Sequence, residues 1–88
     1  MQVKWLSTTD LVSLLDEYVP INAGLVRESC EDGTIPYPFA KRIPGRKQGH
    51  WRIAVAGLPQ ILRDVYELNA QEIEAIQGVV AEMKVRAW

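Results

Sequence analysis

Apolar residues fall at helical spacing over four stretches of the chain and at alternating spacing over one. Leu11, Val12, Leu14, Leu15 and Tyr18 form a broad stripe in "STTDLVSLLDEYV", which predicts a first helix over 7–19. Ser7, Thr8 or Thr9 can cap it, Asp10 suits its first turn, and Pro20 stops it. "NAGLVRESCEDG" restarts a helix with Asn22 as N-cap and Gly33 as C-terminal stop; its inner face is read as Leu25, Val26, Ser29 and Cys30.

The pattern then changes period. Ile35, Tyr37 and Phe39 alternate with prolines and small residues, and Trp51, Ile53 and Val55 alternate on the far side of "PGRKQG". Two extended arms around Gly45 and Gly49 predict a β-hairpin, with Trp51 and Ile53 facing the body and Arg52 turned outward. Helical spacing returns in "GLPQILRDVYEL", where Pro59 suits a first turn and Leu58, Ile61, Leu62, Val65 and Tyr66 line one face. A last helix, "AQEIEAIQGVVAEMKVRAW", follows a cap at Asn69. The expected fold is mainly α with a small β-hairpin, divided into residues 1–68 and a C-terminal helical segment, 69–88.

Charge alters this picture more than composition does. The net charge is −1, yet five of the ten Lys and Arg residues lie between Lys41 and Ile53. No Asp or Glu occurs between Gly33 and Arg63. A cationic middle between acidic ends is a dipolar surface that attracts polyanions locally. The hairpin then carries Lys41, Arg42, Arg46, Lys47, His50 and Arg52 as candidate phosphate contacts.

The remaining chemistry is sparse. Cys30 is the single cysteine, so no intramolecular disulfide or cysteine-based metal set forms, and a small core residue is its simplest role. "GRKQG" lacks the spacing of a phosphate-binding loop, and no catalytic constellation or cofactor motif is found. The opening residues lack the apolar run of a signal peptide, and no stretch approaches a membrane span. A cytoplasmic protein, neither enzyme nor membrane-bound, is expected.

The order helix, turn, helix, basic hairpin, helix resembles the excisionase and MerR-like winged helix-turn-helix superfamily. "LSTTDLVSLL", the ending Gly33, Thr34, Ile35, Pro36, and the run Trp51, Arg52, Ile53 before a further helix carry the resemblance, over residues 6 to about 63. It implies that helix two enters the major groove of double-stranded DNA, presenting Asn22, Ala23, Gly24, Arg27 and Glu28, while the hairpin grips the neighbouring minor groove or backbone as a wing. Two departures stand out. The linking segment "DEYVPIN" is longer than the family's tight turn, and helix two carries Glu28, Glu31 and Asp32 where relatives are often basic.

A small DNA-binding protein of the phage or mobile-element excisionase or transcription-regulator type is therefore expected. Two alternatives use the same fold: a phage terminase small-subunit DNA-recognition domain, and a protein-interaction module docking an acidic partner. The last helix is also open to two readings. Ile73, Ile76, Val79, Val80 and Met83 either complete the chain's own core or pair with a second copy in a homodimer or cooperative assembly.

Overall fold

The computed structural model describes residues 3–36, 39–42 and 51–83. Its elements run β1 (Trp5–Ser7), α1 (Thr8–Leu15), α2 (Ala23–Glu31), β2 (Ala40–Arg42), β3 (Trp51–Ala54), a 3-10 turn (Val55–Gly57), α3 (Leu58–Asp64) and α4 (Ala70–Glu82). The protein is mainly helical, with one three-stranded antiparallel sheet ordered β1-β3-β2.

The helix starts follow local chemistry. At α1 the Asp10 N–H donates to Ser7 Oγ at 3.0 Å, and the Ser7 N–H donates to Asp10 Oδ2 at 3.2 Å, a reciprocal capping box. The same exchange opens α4 between Asn69 and Glu72, at 2.9 and 3.0 Å. At α2 the Leu25 N–H donates to Asn22 Oδ1 at 3.0 Å. Gly33 ends that helix with φ +83, where any Cβ is strained. The adjoining turn is fixed by Asp32, whose Oδ1 accepts from the Thr34 N–H at 2.8 Å and the Thr34 hydroxyl at 2.6 Å. Those two bonds hold the Asp32 carboxyl below the usual carboxylate range.

The helix ends differ from expectation. α1 stops at Leu15 rather than Val19: the Tyr18 N–H closes a tighter turn onto the Leu15 carbonyl at 2.9 Å, an acceptor that the Val19 N–H shares at 3.0 Å. α3 stops at Asp64; Glu67 adopts a left-handed φ of 57, and the Leu68 N–H reaches back to the Leu62 carbonyl at 3.0 Å. α4 ends at Glu82, with Met83 extended. The remainder of that predicted helix, 84–88, lies outside the described residues.

The sheet needs two corrections. The first hairpin arm is Ala40–Arg42, not a strand begun at Ile35. Ile35 is fully buried but sits in the connection after α2, where its N–H donates to the Ser29 carbonyl at 3.0 Å. Pro36 has no N–H to give a ladder, and its carbonyl instead accepts from the Phe39 and Ala40 N–H groups at 2.8 and 3.2 Å; Tyr37, also expected in that arm, lies outside the described residues. Val55 likewise leaves β3 for the 3-10 turn. The second correction is an added strand: β1 pairs along β3, with Trp5 opposite Ala54, Leu6 opposite Ile53 and Ser7 opposite Arg52. The hairpin is thereby tied to the residues that lead into α1.

One row of side chains shows how the sheet meets the core. Leu6, Ile53 and Ala40 stand directly opposite one another across all three strands, each 0–1% exposed. Alternation sends them all to the helix side, and burying a leucine or isoleucine this fully contributes about 1.5–3 kcal/mol. α1 packs on the sheet, α2 and α4, and α3 packs on α4. Leu11, Leu15, Val26, Leu58, Ile61, Leu62, Ile76 and Val80 complete the buried cluster.

The last helix thus spends its stripe inside the chain. Ile76 and Val80 are buried, and Ile73 and Met83 pack at the edge of the same core. Of the five residues expected at a subunit seam, Val79 alone is exposed. A homodimer using Ile76 and Val80 would have to take them from this core. Among the described residues no helix is long and apolar enough to cross a membrane.

Candidate nucleic-acid interface

The strand alternation that buries Leu6, Ile53 and Ala40 places Ser7, Arg52 and Lys41 together on the opposite face of the sheet. Lys41 and Arg52 are direct cross-strand partners, so two like charges stand side by side. Such a pair destabilises a sheet by a few tenths of a kcal/mol unless something compensates. No carboxylate does so among the described residues, where the ion pair present is Arg63 with Asp64, at 3.1 Å on another surface.

An aromatic ring compensates instead. Trp5 lies on the same outer face, diagonal to Arg52 across the β1–β3 ladder. The Arg52 Cζ stands 4.8 Å and the Lys41 Nζ 5.7 Å from the centre of its ring. Each contact is worth about 0.5–1 kcal/mol where exposed and more where water is excluded. Arg52 is half-buried, and its Nε is buried without a hydrogen-bond partner among the described residues. Arg52 therefore does leave the core face, as alternation predicts, but it lies along Trp5 instead of extending freely into solvent.

The other candidate cations divide into two groups. Arg42, opposite Trp51 at the far end of β2, is exposed, as is Lys41. Arg46, Lys47 and His50 lie outside the described residues. Trp51 is half-buried, with its Nε1 enclosed and unbonded among the described residues.

Helix α2 presents a different surface. Asn22 is exposed, but its side-chain oxygen is engaged in capping the helix. Ala23, Gly24 and Arg27 are half-buried, and Glu28 is exposed. A Cβ at Gly24 would sit 3.1 Å from Asn22 Oδ1 and 4.0 Å from an Arg27 guanidinium nitrogen, so these side chains gather around that glycine. Leu25, expected on the inner face, is 48% exposed. α2 buries only the line through Val26 and Cys30, and Leu25 is rotated off that line by one residue. Glu28, Glu31 and Asp32 line an open hollow of about 480 Å³ toward the helix end.

Cys30 faces the interior with its thiol pushed up to about 11, first by burial and then by Glu31 and Asp32. A thiol so held is protonated and unreactive at neutral pH. No cluster of three metal-ligating side chains forms among the described residues. Two features of this surface escape a reading of the sequence: the placement of Trp5 beside Arg52 and Lys41 and the exposure of Leu25. The first has no local signal, since Trp5 and Leu6 are both apolar and three residues set no period.

Comparison of the chain with protein-family models, with curated proteins and with solved structures returns no match.

Proposed function

We propose that the protein binds double-stranded DNA in the manner of a winged helix-turn-helix, by equilibrium association without bond-making chemistry. The observation that carries this reading is the cross-strand pairing of Lys41 with Arg52, with Arg42 next in the strand and no carboxylate paired to any of them among the described residues. Cations held side by side on a short, rigid ladder suit the regular negative charge of a phosphate backbone. Arg46, Lys47 and His50 fall in the segment joining these strands and extend the same positive run in sequence. In this reading Asn22, Ala23, Gly24, Arg27 and Glu28 face the groove, with Arg27 the donor to guanine and Glu28 the acceptor from cytosine. An excisionase or a compact regulator of a phage or mobile element fits such a surface.

Fluorescence-anisotropy titration against random duplex at two salt concentrations tests it. Binding is expected to fall steeply as salt rises. Lys41→Glu with Arg42→Glu changes two exposed side chains and should weaken binding at least tenfold, on the order expected for lost phosphate contacts, with the cooperative thermal melt retained. Absence of binding at low salt would overturn the proposal.

Helix α2 supports a second reading, a module that docks another protein. An exposed Leu25 followed by Glu28, Glu31 and Asp32 is a surface that phosphates repel and that a protein with apolar and basic groups would accept. Competition separates the two: unrelated duplex displaces a bound nucleic acid but leaves a protein complex at α2 intact.

A further inference from the structure

We infer that Trp5 is a positioning residue for Arg52, holding the guanidinium flat so that its outer edge meets one backbone phosphate. The inference rests on the DNA-binding reading and adds to it a residue outside both the wing and helix α2.

The geometry is specific to this sheet. Trp5 belongs to β1, the strand on the far side of β3 from Lys41, so two cations from two different strands converge on one ring. Arg52 sits in the central strand between them, directly opposite Lys41 on one side and Ser7 on the other. With no acid paired to it among the described residues, an arginine in this place has two ways to be retained: the ring beneath it, or an anion brought from outside. The ring holds the cation in the free protein. It does not satisfy the hydrogen bonds.

Nε is buried and without a partner among the described residues. The N–H donors left to meet a ligand are those of Nη1 and Nη2. A guanidinium stacked over an indole lies parallel to the ring face, and its outer edge stays free to donate to a phosphate oxygen pair. A freely rotating arginine would lose this orientation and pay conformational entropy on binding.

A double-mutant cycle measures the coupling. Duplex affinity is determined by anisotropy for the unaltered chain, Trp5→Leu, Arg52→Gln and the double variant, with thermal melts confirming that each is folded. Arg52→Gln is expected to weaken binding about tenfold and Trp5→Leu about fivefold, while the double variant binds no worse than Arg52→Gln alone. Trp5→Phe, which keeps a ring, should retain most of the affinity. In the free protein, NMR resonances of the Arg52 side chain should be ring-current shifted and return to ordinary positions in Trp5→Leu.

Effects that multiply in the double variant would overturn the inference while leaving DNA binding standing. Failure of the unaltered chain to bind duplex would overturn the DNA reading and this inference with it. Should Trp5→Leu fail to fold, Arg52→Lys decides: it keeps the charge but not the planar fork, and binding equal to the unaltered chain would overturn the positioning role.

Discussion

Cys30 and Tyr66 show how far burial alone tunes a residue in a domain this small. Burial is the main cause for both groups, holding Cys30 at about 11 and Tyr66 at about 12; Glu31 and Asp32 add to the Cys30 shift, and Cys30 adds to the Tyr66 shift. The sign of the consequence follows directly. Between 9.0 and about 11 the unfolded chain has released the thiol proton while the folded chain still holds it. The folded state then binds more protons, so stability is full below the lower value and falls as pH rises through the window. Thermal melts are expected to show the midpoint dropping over that range, as at most about 2.7 kcal/mol of stability is lost, less for the solvent the thiol still meets. Cys30→Ala should remove this part and leave the loss that Tyr66 causes at higher pH. At this scale much was readable in advance: Asn22, Asn69 and Ser7 were recognisable caps because a cap involves only the next three residues. Leu25 was not, since its exposure depends on where α1 stops covering α2.

Two elements meet closely where the 3-10 turn passes the start of β2. Gly57 is buried at the start of α3, and a Cβ there would overlap the ring of Phe39, the residue just before β2. The Phe39 carbonyl also accepts from the Ala54 N–H at 2.7 Å, which ties this corner to β3. The ring therefore has little room to retreat. Gly57→Ala is expected to cost about 1–3 kcal/mol by overpacking, measured as a lowered thermal or urea midpoint. Recovery on combining it with Phe39→Leu would identify the clash as the cause. The helices themselves were legible from period and caps, and the wing's second arm from Trp51 and Ile53. β1 was hidden because three residues between a terminus and a helix cap are too few for alternation to be distinguished from chance. Its existence depends on an unpaired edge of β3 being there to receive it.

The whole molecule closes through α4. Ile76 and Val80 lie 2% and 4% exposed in the cluster that contains Leu6, Leu11 and Leu62, whereas Val79, 53% exposed, points away from it. Ile76→Asp would bury a carboxylate without a partner, a loss of roughly 3 kcal/mol or more against a total that is small for a domain of this size. Loss of the cooperative melt is expected, and not a folded monomer. Val79→Asp should leave stability within about 0.5 kcal/mol. A sedimentation mass that falls in Val79→Asp with the melt unchanged would place a second copy on that exposed face.

The sequence by itself determined the four helices, their caps, the prolines that break them, and the separation of a cationic middle from acidic ends. All of these are short-range properties, decided by neighbours within one or two turns. Only the tertiary structure decided that Leu25 is exposed, that β1 joins β3, and that Trp5 lies beside Arg52 and Lys41. Those outcomes depend on pairing between residues some forty-seven positions apart, as Trp5 and Arg52 are in the numbering. Register and packing choose such partners, and no local pattern encodes the choice.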